Sequence, residues 1–361
     1  MQITHLELTQ FRNFHRAKLE FNDSLNVFIG INGSGKSSLI ESLYFFGYGR
    51  SFRTSKSKSL IGNDHKEYSL YCRARSNGTD DVKVGVARSL GGEFRCQVNG
   101  EHGVTLTDMV THFPIQLFTP QSTDLIIGSP SERRRFLDWT VFHVEHSSKT
   151  TYRKFSILHK QRNALLKQGR NTKTQLAVWD EQFIDVANQI DQLRCSLIGS
   201  IKAHFDAVLG QFLPEIKLEI EYNAGWDKER GLRSVLKDKL DSDYQYGSTA
   251  AGPHKADLRI KLGKTLASEV LSRGQLRMAV AALQLAQTKT YNQLTGKVPI
   301  FLLDDLGAEL DEEKRELFLD ALVESKSQVF VTAIELQQLG FIKKYQNKKM
   351  FHVEHGSVKE E

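Results

Sequence analysis

An α/β fold with a phosphate-binding loop and mixed sheets, interrupted by an inserted and mostly helical segment, is what this sequence predicts. Three observations carry that expectation. A glycine-rich loop, Gly30-Ile31-Asn32-Gly33-Ser34-Gly35-Lys36-Ser37, follows the apolar run SLNVFIG and opens a helical pattern. A second apolar run, VPIFLL, ends in the paired acids Asp304 and Asp305. Between them, from Pro130 to about Gly210, the pattern turns helical. The expected organisation is a head built from residues 1–125 and 248–361, with a helical arm of residues 126–247 between its halves.

Each element follows from local pattern. ITHLELTQF, AKLEF and SLNVFIG alternate or are apolar, so they read as strands, and the third feeds a helix from about Lys36 to Phe46. YSLYCRARS, VKVGVARS and GEFRCQVNG are strands separated by Asn77-Gly78, Gly91-Gly92 and Asn99-Gly100, dipeptides that supply the positive φ of tight turns. IQLFTP, after Pro114, is a further buried strand. In the middle, Phe183, Val186, Ile190, Leu193 and Leu197 form a heptad seam. The helix before it carries Phe155, Leu158 and Leu165, and Gly169-Arg170-Asn171 separates the two, giving a short antiparallel hairpin. KLEIEY is a strand, followed by a short helix near Leu232 to Leu240. The last third holds a helix from about Gly274 to Leu294, the strand VPIFLL, a helix after Asp311 and the strand QVFVTA.

Composition narrows the class. Hydrophobic residues at 40% and charged residues at 25% are ordinary for a soluble globular chain. No apolar run is long enough to cross a bilayer, and MQITHLELTQF lacks the basic-then-apolar order of an export signal, so we expect a cytoplasmic protein without a membrane partner. Cys72, Cys96 and Cys195 have no CxxC spacing and suit buried thiols in a reducing compartment. The net charge of +6 permits nucleic-acid binding. From Lys149 to Lys173 the charged residues are Lys149, Arg153, Lys154, Lys160, Arg162, Lys167, Arg170 and Lys173, with no acid among them, which suits phosphate contact. HVEH at 143–146 and again at 352–355 lacks zincin spacing and is not read as a metal site.

The loop Gly30 to Ser37 has Gly-Lys-Ser at its end, between a strand and a helix. Its glycines let backbone N–H groups wrap a phosphate, and the helix N-terminus adds positive potential. Lys36 is expected to reach the β- and γ-phosphates of a nucleotide, and the Ser37 hydroxyl to ligate Mg2+. Asp304, at the mouth of a buried strand, can orient the cation, and Asp305 can polarise an attacking water.

Leu271-Ser272-Arg273-Gly274-Gln275 opens the helix before that strand, and Ala308-Glu309-Leu310-Asp311 follows the acids. This order resembles the ABC-type ATPases, whose LSGGQ-like signature and D-loop stand in the same places. The resemblance implies that Ser272, Gly274 and Gln275 of one copy cap the ATP held by Gly30 to Ser37 of another, with Asp311 as the D-loop acid. It also implies that Gln121 senses Mg2+ as a Q-loop glutamine, and that Arg12 and Asn13 lie by the nucleotide. For those two residues a strand-end salt bridge is an equal alternative.

Five further strings resemble the RecF family of bacterial recombination mediators, short-armed relatives of the SMC heads: FRNF at 11–14, GRSFRT at 49–54, RRRFLDW at 133–139, QRNALLK at 161–167 and GPHKADL at 252–258. That likeness implies ATP-dependent dimerisation on DNA at gaps or single-/double-strand junctions, and cooperation with RecR and RecO in loading RecA. The basic arm and residues 50–58 are then candidate DNA contacts through the phosphate backbone. Two features depart from the ABC pattern. Asp305 stands where Glu is usual, which implies slow hydrolysis, and Thr332 and Ala333 occupy the position of the switch histidine. A transporter ATPase subunit shares the nucleotide motifs but predicts no basic arm, and a P-loop kinase leaves Ser272 to Gln275 and Asp311 unexplained.

Overall fold

The computed structural model describes residues 1–76, 80–145 and 147–361. The expected Asn77-Gly78 turn and His146 lie outside them. The chain forms two compact units, Met1–Ser122 with Arg277–Glu361, and Thr123–Leu276.

The first unit contains two six-stranded sheets. One is antiparallel, in the order Phe14–Glu20, Gln2–Phe11, Glu67–Ser76, Asp80–Ser89, Phe94–Val98 and Glu101–His102. Its alternating sequence puts Ile3, Leu6, Leu8, Leu70, Cys72 and Val84 inside. The other runs Ser357–Glu360, Lys348–Glu354, Leu25–Ile29, Val329–Ala333, Ile300–Leu303 and Ile115–Phe118; every pairing is parallel except that of the first two strands. Continuous apolar runs such as IFLL and VFVTA suit strands covered on both faces, and each is buried throughout. Phe21, Phe28, Phe330 and Phe351 pack ring against ring in the core, with Phe21 and Phe330 centroids 4.8 Å apart. The helix Lys36–Tyr48 is buried on nearly every side, as the run SSLIESLYFF requires.

The order of the parallel strands positions the chemistry. Val329–Ala333 lies between Leu25–Ile29, which feeds the glycine loop, and Ile300–Leu303, which ends in the paired acids. Phe28 pairs with Thr332, and Leu303 with Val331. The C-terminal ends of three adjacent strands therefore converge at one edge, where ligands of open α/β sheets bind.

The second unit is mainly helical. Ser148–Gln168 and the 40-residue helix Lys173–Phe212 form an antiparallel hairpin, joined through Gly169 at φ 100° and a turn at Arg170–Thr172. The expected seam is largely present, with Phe183, Val186, Ile190 and Leu197 buried. Leu193, however, is only half-buried, and Arg194 takes the inward slot. Arg194 can do so because it pairs with both carboxylate oxygens of Asp138 at 2.8 and 2.9 Å and donates to the Pro253 carbonyl. Residues 248–276, expected with the head, cluster with this unit, since Asp257–Leu262 pairs with Glu219–Asn223 in a three-stranded sheet.

Candidate nucleotide-binding site

In the first unit, the edge where the strands converge opens into a cleft of about 440 Å³. Asn32, Gly33, Gly35, Lys36 and Ser37 line it, together with Arg12, Asn13, Arg53, Asp304, Asp305 and Thr332. The loop needs its glycines. A Cβ at Gly30 would lie 2.2 Å from the Val353 carbonyl oxygen. Gly35 has φ 124°, and a Cβ there would meet the Asn13 amide and the Phe14 ring. No side chain caps the helix that Gly35 opens, which leaves its first N–H groups for a ligand.

Three side chains show what the cleft can take. Lys36 is buried and donates from Nζ to the carbonyls of Gly30 at 2.5 Å and Ile31 at 3.0 Å. Burial pulls its pKa down, against the opposing pull of Asp305 and Asp304. Ser34 Oγ is buried without a hydrogen-bond partner. Ser37 Oγ donates to Asp304 Oδ1 at 3.1 Å, so the two groups expected at a cation are already adjacent. Burial pushes the Asp304 carboxyl up, opposed by hydrogen bonds from Thr332 and Ser37 and reinforced by the neighbouring Asp305. A buried acid beside a hydroxyl, an ammonium spent on backbone carbonyls and an orphaned hydroxyl fit a phosphate with a divalent cation.

The remaining expected residues are placed as follows. Arg12 lines the cleft and forms a bidentate ion pair with buried Glu41, the salt-bridge alternative. Asn13 donates to the Ser34 carbonyl at 3.0 Å and so braces the loop. Asp305 lines the cleft at φ 58°, its N–H donating to Thr332 Oγ1 at 2.8 Å. Ser272 and Gln275 make reciprocal bonds, Ser272 N–H to Gln275 Oε1 and Gln275 N–H to Ser272 Oγ, which is a capping box on the helix Arg273–Thr295. Ser272 is exposed, and a Cβ at Gly274 would meet nothing in this chain. Asp311 caps the helix Glu312–Glu324 by accepting from the Lys314 N–H at 2.9 Å.

Some expectations need correction. Gln121, in the turn Pro120–Thr123, is exposed and is not among the described residues lining the cleft. Arg162 is not a surface phosphate contact. It is fully buried, pairing with Asp180 at 2.8 Å and Asp243 at 2.7 Å. Arg53, grouped by sequence with candidate DNA contacts, also lines the cleft. The two HVEH copies differ in setting, with His143 buried in a helix and His352 exposed on a strand. Among the described residues no group of three or more His, Cys, Asp or Glu could hold a metal. Sequence reading also missed Glu41. This buried carboxylate accepts from Arg12 and from the Ser51 hydroxyl, and Ser51 Oγ in turn accepts the N–H groups of Arg53 and Thr54. A lone charged residue inside the helical run SSLIESLYFF was its one available signal.

Comparison with known proteins agrees with this geometry. The family model of the RecF/RecN/SMC N-terminal domain matches residues 2–359. The chain is 44% identical to the DNA replication and repair protein RecF of Pseudoalteromonas atlantica, with all of both chains covered. It is 36% identical to RecF of Vibrio atlanticus, also with both chains covered in full. A solved structure described as the recombination mediator protein RecF with ATP in the RecFOR pathway superposes with a TM-score of 0.87 at 27% identity. That match covers 100% of this chain and 97% of the other. An SMC head bound to the C-terminal winged helix of ScpA shares the fold, with a TM-score of 0.61 at 17% identity, covering 100% of this chain and 98% of that one. Among the described residues no helix is long and apolar enough to cross a membrane. A transporter subunit and a kinase are both left without support, and the chain belongs to the RecF family.

Proposed function

We propose that this chain binds ATP with Mg2+ in the Gly30–Ser37 cleft and that the nucleotide joins two copies on DNA during recombinational repair. The observation that carries the reading is the pairing of Ser37 Oγ with Asp304 Oδ1 at the mouth of a glycine cradle that also presents Lys36. Lys36, the loop N–H groups and Ser34 hold the phosphates, and Ser37 with Asp304 hold the cation. Mg2+, when bound, neutralises phosphate charge. Arg12 and Arg53 add positive charge to the same cleft. Ser272, Gly274 and Gln275 of the second copy complete the pocket, with the D-loop acid Asp311 at the same junction. The exposure of Ser272 and the open space at Gly274 support this, because an anion can approach that helix N-terminus.

Asp305 polarises the attacking water. Its carboxylate is one methylene shorter than the usual Glu, so hydrolysis is slow and ATP serves as a timed clamp, with turnover far below the hundreds per second of fast enzymes. DNA is held through its phosphates, without sequence preference, at gaps or junctions, and the partners are RecR, RecO and, downstream, the recombinase RecA. Exposed Arg153, Lys154, Lys160 and Lys167 on the arm supply cations for that contact.

Titration of a fluorescent ATP analogue tests the core of this reading. Wild type should bind saturably and more tightly with Mg2+, and Lys36→Ala should lose most of that binding. Equal binding by the two proteins would remove the cleft as the nucleotide site.

A further inference from the structure

The position where an ABC-type ATPase carries its switch histidine is occupied here by Thr332, and the surroundings of that residue are informative. Thr332 is 1% exposed and sits at the C-terminal end of the strand between the P-loop strand and the acid-bearing strand. Its hydroxyl makes two bonds of opposite sense. It donates to Asp304 Oδ1 at 2.9 Å and accepts the N–H of Asp305 at 2.8 Å. Of the side chains that fit a buried strand end, a hydroxyl can do both at once. The second bond matters because Asp305 is a non-glycine residue at φ 58° and ψ 43°, a left-handed backbone state that its surroundings must hold in place. The first bond matters because Asp304 accepts from Ser37 through the same oxygen, so two hydroxyls fix the direction of one carboxylate.

We infer that Thr332 is a positioning residue that sets both acids: it aims the Asp304 carboxylate at the cation site beside Ser37 and pins Asp305 in the turn that carries it into the cleft. The inference rests on the nucleotide reading of the cleft. It differs from a switch histidine in that the side chain acts through the acids and not on the phosphate.

The test compares wild type, Thr332→Ser and Thr332→Val as full-length proteins, with a fluorescent ATP analogue titrated at fixed Mg2+ and Mg2+ titrated at fixed analogue. Val keeps the shape and removes both hydrogen bonds; Ser keeps both. Binding without Mg2+ is measured for each protein as its own baseline, against which the metal-dependent gain is read. The Mg2+ concentration giving half of the metal-dependent gain should rise about tenfold in Thr332→Val, the scale of one hydrogen bond to a charged group, and stay within about twofold of wild type in Thr332→Ser. Thr332→Ala carries the same expectation if the valine variant does not fold. A wild-type Mg2+ midpoint in both the valine and alanine variants overturns the inference while leaving the nucleotide reading intact, and so does equal impairment of Thr332→Ser. Absence of analogue binding by wild type, with or without Mg2+, overturns the nucleotide reading and the inference together.

Discussion

Arg12 donates from Nε and Nη2 to both carboxylate oxygens of Glu41, at 2.7 and 2.6 Å, and Glu41 is wholly buried. One interior acid thereby anchors a cation that lines the nucleotide cleft and, through Ser51, the turn that carries a second, Arg53. Removing the acid leaves a partly buried guanidinium without its partner. Glu41→Gln should cost about 3 kcal/mol of stability, read from the urea midpoint, and should also weaken ATP binding. An unchanged midpoint would show that the pair contributes nothing net.

Asp304 is held at a cost. Because burial raises its pKa above the unfolded value, the neutral form is favoured in the fold. The penalty is absent below the unfolded pKa, appears as pH rises through the folded pKa and is complete above it. Asp304→Asn keeps an oxygen that can accept from Ser37 and Thr332 and removes the charge. At neutral pH and without nucleotide the variant should melt higher, by on the order of 1–3 °C, and lose the Mg2+-dependent gain in ATP affinity. The difference in melting should shrink as pH falls. A lower melting temperature at neutral pH would contradict this account of the site.

His254 answers to pH in the opposite sense. Burial lowers its pKa to about 4, against a hydrogen bond from its ring to the Thr249 carbonyl that favours the charged form, and nearby His159 lowers it further. A depressed pKa gives stability that is present above the unfolded value near 6.5 and is lost as pH falls toward 4. His254→Gln should therefore flatten the acid limb of the stability curve between about pH 6.5 and 4, measured by denaturant titration across that window. A limb of unchanged slope would place the titration elsewhere.

On the arm, buried and exposed cations should separate cleanly. Arg162, paired with Asp180 and Asp243, is structural, and Arg162→Met should destabilise by about 3–5 kcal/mol. Lys154, Lys160 and Lys167 are exposed. Replacing all three with Ala should leave stability nearly unchanged and reduce the salt dependence of DNA retention by about 0.9 in log–log slope for each phosphate no longer neutralised. A slope unaffected by the triple replacement would move the DNA surface off this helix.

These residues also mark how far the sequence could be read. The loop Gly30–Ser37 and the acids after VPIFLL were legible because each is a local pattern whose requirements lie within a few residues. Arg162 was misread because its acids, Asp180 and Asp243, lie far along the chain, so the basic run seemed uncompensated. Arg194 was missed for the same reason, since its partner Asp138 is on another helix and the apolar steps pointed to Leu193. Glu41 and Thr332 act through hydrogen bonds with residues 12, 51, 304 and 305, which no local periodicity can display. Gln121 was placed by analogy of position, and it is exposed and not among the described residues lining the cleft.

On the proposed function, ATP joins two copies of this chain through Ser272. Light scattering of wild type and Ser272→Arg, each with and without ATP and Mg2+, tests it most directly. Wild type should double in mass when ATP and Mg2+ are added, while Ser272→Arg should stay at the mass of a single chain and still bind the nucleotide. A variant that doubles in mass as wild type does would contradict the claim.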